Sequence, residues 1–183
     1  MTPSSPLHGS RSAGTSTGSQ PADDRHDATP ATFNILFVCT GNTCRSPMAE
    51  AIAGDELVRR GWTTVRVGSA GIAATDGSPA SEGALEVSAR YGLDLGAHRS
   101  RRLTPEVIDW ADLVLAMGPS HLASLMRFGA EHKSALLTDF VDAGTAGVTD
   151  PFGGSIPMYE RTFQELRSLV RDALDRLSPI LQP

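Results

Sequence analysis

The chain has 183 residues, enough for one ordinary domain with some material to spare, and 40% of them are hydrophobic, so a core needs no metal or disulfide staple. A net charge of −5 supplies no basic surface for nucleic acid or an anionic membrane. No apolar run approaches the roughly 20 residues that span a bilayer, and the first residues lack the features of a signal peptide, so a cytoplasmic protein is expected.

Residues 1–32 are mostly Ser, Thr, Pro, Gly and Ala, with Leu7 nearly alone as an apolar group. Such a segment buries too little to offset its ordering entropy and reads as a disordered tail, leaving 33–183 as the domain. Asn34 to Val38 is a continuous apolar run, as expected of a buried parallel strand. Ser46 and Pro47 read as the N-cap and first-turn proline of a helix to about Arg60, closed by Gly61. Thr64 to Ser69 predicts a second strand and Ser81 to Tyr91 a second helix; a short helix from Thr104-Pro105 ends at Trp110. Asp112 to Met117 predicts a third buried strand, Pro119 to Phe128 a helix, and Ser134 to Leu137 a short fourth strand. A Gly- and Asp-rich loop from Asp142 to Ser155 precedes an amphipathic helix from about Ile156 to Leu177. Alternating strands and helices imply an α/β fold with a parallel sheet, whose site lies beyond the carboxyl ends of the strands.

The loop after the first strand, in "NILFVCTGNTCRSPMAE", is at such an end. A thiol attacks only as its thiolate, and Cys39 leaves the strand facing a loop whose N–H groups, from Thr40 to Arg45, can converge on one point. The following helix adds its positive end. Gly41 and Asn42 suit the left-handed angles that such a nest requires. Arg45 can bind a phosphoryl group bidentately, and the Ser46 hydroxyl can donate to the sulfur. The pattern describes a phosphate cradle, Thr40, Gly41, Asn42, Thr43, Cys44, Arg45 and Ser46, with the nucleophile Cys39 at its base. It is not a Walker loop, because the required Gly-Lys pair is missing. The two cysteines form neither a secreted disulfide framework nor half of a zinc site, and no metal or cofactor is expected.

"VCTGNTCRSP", followed much later by "DPFG", resembles the low-molecular-weight protein tyrosine phosphatase family. The likeness extends from Phe33 to the C-terminus and includes "SAG" at Ser69–Gly71, "HRSR" at His98–Arg101 and "ADLVLAM". It implies a four-stranded parallel sheet with helices on both faces, phosphorylated protein substrates, and a metal-free reaction through a phosphocysteine. It also makes Asp150 the general acid, although an Asp-Pro pair is equally good turn chemistry.

Tyrosine phosphatases of the family usually carry a bulky aliphatic residue where Thr43 stands, tyrosines after the Asp-Pro pair, and often an aromatic after "SAG". Here Thr43 is polar, Phe152-Gly153 follows the Asp-Pro pair, and "SAGIAATDGSP" holds no aromatic. These departures resemble the family's protein arginine phosphatase branch and make Thr43 and Phe152 the expected specificity positions. A tyrosine phosphatase is the alternative. An arsenate reductase lacks its relay cysteines after Cys44, and an inert phosphate-binding module leaves the joint presence of Cys39, Arg45 and Asp150 unexplained. Cys44 reads either as a packed small hydrophobe or as a redox partner for Cys39. His98 and His121 are expected to brace loops. The resemblance suggests that Ser69 supports Asn42, and Asp76 is placed at the pocket rim by position alone. Tyr91 and Tyr159 read as packing residues.

Overall fold

The computed structural model describes residues 32–181; the predicted tail, up to residue 31, therefore lies outside the described residues. Four strands, β1 (Phe33–Cys39), β2 (Val65–Gly71), β3 (Leu113–Ala116) and β4 (Ser134–Leu136), pair in parallel in the order β2-β1-β3-β4. The chain fills one side of β1 first and then crosses to the other, so the order reverses between β1 and β3. Crevices at such switch points receive ligands in open α/β sheets.

The helices are α1 (Arg45–Arg60), α2 (Glu82–Arg90), α3 (Pro105–Trp110), α4 (Pro119–Arg127), α5 (Leu137–Phe140) and α6 (Ile156–Leu181), with a 3-10 turn at Glu131–Lys133. Side chains of β1 alternate between two cores. Ile35, Phe37 and Cys39 meet Met48 and Ile52 of α1 and Phe163, Leu166 and Val170 of α6. Leu36 and Val38 meet Ile108 of α3 and Leu125 of α4. Helices thus cover both faces, as the resemblance implied. The buried stripe of α6 contains Phe163, Leu166, Val170, Leu174 and Leu177 at the predicted helical spacing. Buried Glu56 on α1 accepts a 2.6 Å bond from Arg171 on α6, tying the two helices together with a paired charge.

Four local expectations change. Helix α1 begins at Arg45 with Cys44 as N-cap, because the Ser46 hydroxyl bonds elsewhere and caps nothing. Strand β2 runs on to Gly71, where pairing with β1 continues as far as Cys39. The four-residue α5 follows β4 directly and is too short to carry a periodic signal. Helix α6 continues past Leu177 through Pro179, a last-turn position where a missing N–H costs only one bond.

Candidate active site

Strand β1 ends at Cys39, and the loop to α1 folds over the sulfur. The thiol is 3% exposed. Its Sγ accepts from the Asn42 backbone N–H at 3.3 Å and lies 3.0 Å from Ser46 Oγ. Asn42 adopts φ 54° and is fully buried. Its Nδ2 donates to Ser46 Oγ at 2.9 Å and Ser69 Oγ at 2.7 Å, and its Oδ1 accepts from the Arg101 N–H at 2.9 Å. His98 Nε2 lies 2.8 Å from its carbonyl oxygen. Ser69 in turn donates to Glu50 at 2.5 Å. One left-handed asparagine thus binds the loop to β2 and to the 98–101 segment, and each of its polar groups has a partner. Gly41 does not share the left-handed conformation; Asn42 supplies that bend alone within the loop.

Sequence reasoning gave Gly71 no role of its own. A Cβ at this position would lie 2.5 Å from the Thr40 carbonyl oxygen and 2.8 Å from the Asn42 nitrogen. The cradle leans on bare backbone there, which only glycine allows.

Arg45 is 7% exposed. Its guanidinium donates to Asp150 Oδ2 at 2.5 Å and to the Val148 carbonyl at 3.4 Å. Asp150 is half-exposed, and its Oδ1 accepts from the Phe152 N–H at 3.2 Å, a local turn bond. Turn chemistry and proximity to the nucleophile loop coexist in this residue. Two anchors hold the loop that carries Asp150. Val148 N–H donates to Met117 O at the end of β3 at 2.8 Å, and the Thr162 hydroxyl of α6 donates to Thr149 O at 3.3 Å.

A cavity of about 210 Å³ lies between these parts. Cys39, Thr40, Gly41, Thr43, Cys44 and Arg45 line it together with Asp150 and Phe152. Thr43 is half-buried, with its carbonyl held by Ser81 N–H at 2.9 Å, whereas Phe152 is 77% exposed at the mouth. Asp76 does not line this cavity; its carboxylate accepts from the Arg102 N–H at 2.6 Å. A larger and more open groove of about 820 Å³ runs beside β2, but it holds no cysteine.

Both cysteines are free and buried. The Cys44 thiol donates to Ser81 Oγ at 3.2 Å and lies 3.4 Å from the Tyr159 hydroxyl. Burial, then the bond to Cys44, raises the Tyr159 pKa. His121, near the start of α4, places Nε2 2.9 Å from Thr40 Oγ1. Burial, then the Arg45 charge, lowers its pKa to about 4, so the ring is neutral at pH 7. Among the described residues no group of three His, Cys, Asp or Glu could hold a metal ion, and no helix is long and apolar enough to cross a membrane.

Comparison with known proteins adds the following. Residues 34–180 match the family model described as low molecular weight phosphotyrosine protein phosphatase. A protein-arginine-phosphatase of Geobacillus stearothermophilus is 44% identical over 152 residues, 82% of this chain and 97% of that protein. The low molecular weight protein-tyrosine-phosphatase YfkJ of Bacillus subtilis (strain 168) is 32% identical over 156 residues, 82% of this chain and 96% of that protein. Among solved structures, a YwlE arginine phosphatase mutant with a phosphorylated active site serine superposes with a TM-score of 0.76 at 40% identity, covering 80% of this chain and 96% of that one.

Proposed function

Because the chain belongs to the low molecular weight phosphotyrosine protein phosphatase family, we propose that it removes phosphoryl groups from phosphorylated protein side chains, phosphoarginine above all, with Cys39, Arg45 and Asp150 as its catalytic residues. The observation that carries this reading is the placement of a buried, donor-bonded sulfur in one cavity with a guanidinium and a carboxylate. The Cys39 thiolate attacks phosphorus in line. The P–N bond of phosphoarginine breaks as the nitrogen takes the Asp150 proton and arginine departs. Ionised Asp150 then removes a proton from water, which attacks the phosphocysteine; inorganic phosphate leaves and the thiolate returns. Arg45 and the loop N–H groups hold the equatorial oxygens, an electrostatic contribution of several kcal/mol. For Arg45 to do so, the phosphoryl group takes over N–H groups now bonded to Asp150, and the exchange frees the carboxyl for its leaving-group role.

The substrate preference rests on Thr43 and Phe152, both on the cavity wall, and on the similarity to arginine phosphatases. A threonine hydroxyl can accept from the substrate guanidinium or orient water, and its small volume leaves room for a thin, polar leaving group. Turnover of phosphoarginine peptides should exceed that of phosphotyrosine peptides by about tenfold or more in kcat/KM, and Thr43→Ile should reduce or reverse that ratio. A phosphotyrosine preference in the unmodified protein overturns the assignment.

Cys44 is the redox partner in this proposal. Peroxide oxidises the Cys39 thiolate to a sulfenic acid, which condenses with the Cys44 thiol to a disulfide and releases water. The Cys44 thiol leaves Ser81 and Tyr159 to do so. Mass spectrometry of peroxide-treated protein should find the Cys39–Cys44 bond, with activity recovered by thiol. Irreversible sulfonic acid at Cys39 counts against it.

A further inference from the structure

The side chains of two residues at the site have no part in the reaction as written. Thr40 directly follows the nucleophile and lines the cavity with an exposed side chain, while its carbonyl accepts from Ala73 N–H at 2.9 Å. His121 reaches it from the first turn of α4, 81 residues later, across the switch point of the sheet. The imidazole is 3% exposed, and its second nitrogen, Nδ1, is buried with no hydrogen-bond partner.

These observations favour one direction for the bond. A neutral imidazole carries one N–H and one lone pair. If the hydrogen were on Nδ1, a buried donor would be left without an acceptor, an arrangement rarer and more costly than an unused lone pair. The tautomer that leaves no buried donor unpartnered has the hydrogen on Nε2, donated to Thr40 Oγ1. The threonine oxygen accepts, and its own hydrogen is free to point into the cavity that the side chain lines.

We propose that His121 is a positioning residue that turns Thr40 into a fixed hydroxyl donor for a phosphoryl oxygen of the bound substrate. The inference rests on the phosphatase reading of the same cavity. It adds to the cradle a side-chain donor next to Cys39, supported by a ring that stays uncharged at neutral pH and so does not compete with Arg45 for the anion. Phosphate, not the arginine leaving group, is the partner this hydroxyl suits. The leaving guanidinium presents mainly donors, and the phosphoryl group presents only acceptors.

Inorganic phosphate, measured as a competitive inhibitor of the full chain, tests the inference. Thr40→Val should raise its inhibition constant by about tenfold or more, the usual size of a lost bond to a charged group, whereas Thr40→Ser should stay close to the unmodified protein. His121→Phe should weaken phosphate to a similar degree, Thr40→Val with His121→Phe no further than either alone, and His121→Gln, which keeps an N–H donor, should recover most of the loss. Nitrogen-15 NMR of the unmodified protein should show His121 protonated on Nε2 and bare on Nδ1, a result that needs no variant to fold. A Thr40→Val protein that binds phosphate normally, or an Nδ1–H tautomer, overturns the proposal and leaves the phosphatase reading intact. An unmodified protein that neither hydrolyses phosphoesters nor binds phosphate overturns both.

Discussion

Cys39→Ser is expected to lower turnover by about 10⁴-fold or more while leaving phosphate binding nearly unchanged. A serine hydroxyl is far less acidic than a thiol and has no neighbouring base here. Of the two groups on the sulfur, the Asn42 N–H is a donor, and Ser46 Oγ at 3.0 Å is a hydroxyl too weakly basic to take the proton. The binding part of the site is separate from the nucleophile. Arg45 and the loop N–H groups are held by Asn42 and its bonds to Ser46, Ser69 and Arg101, none of which passes through the sulfur. A smaller oxygen at position 39 therefore leaves the cradle standing. Kinetics on a chromogenic phosphoester, with phosphate titrated against the variant, measures both halves of the expectation. A Cys39→Ser protein retaining a few per cent of turnover would refute nucleophilic catalysis by this residue, and loss of phosphate binding would show that the sulfur holds the loop together.

Asp150→Asn should cost about 10²- to 10⁴-fold in kcat/KM on substrates with a poor leaving group and much less on aryl phosphates whose phenolate leaves unaided. Among the described residues, Asp150 is the carboxylate that lines the cavity, so no other acid there can replace it. Asparagine preserves the size and one acceptor oxygen, which can keep the bond from Arg45 while its amide nitrogen gives up the one from the Phe152 N–H, and it carries no transferable proton. The informative quantity is the slope of log kcat/KM against leaving-group acidity, which should steepen in the variant. A uniform loss across all leaving groups would mean that Asp150 positions Arg45 and does not deliver a proton.

The strands themselves and the loop after the first were legible because their signals are local. Cys39, Asn42, Arg45 and Ser46 are consecutive or nearly so, and a buried strand followed by such a loop leaves few foldable alternatives. Even there, one assignment went to the wrong group: Ser46 reads as a helix cap from its type, but the sulfur and Asn42 claim its hydroxyl. Contacts between distant segments were less accessible. Gly71 matters because backbone from another strand passes within a side chain's width, and a lone glycine in a string announces no such neighbour. His121 could be placed near the site only in general terms, since its bond to Thr40 depends on how the β1 and β3 ends align. Tyr159 was assigned to packing, which its burial supports, but its hydroxyl on Cys44 depends on the exact rotation of α6 about its axis. The support of Asn42 by Ser69 came from family likeness, and the geometry bears it out at 2.7 Å.

Helix α6 has a consequence for biosynthesis. A ribosome releases β1 and the nucleophile loop first, then the remaining strands, and only afterwards the segment that becomes α6. Until that helix is laid against α1, the Phe37 face of the sheet lacks Phe163, Leu166 and Val170, Thr149 lacks the Thr162 hydroxyl, and Cys44 lacks Tyr159. A nascent chain therefore carries its thiol through most of synthesis before the Asp150 loop gains its anchor on α6.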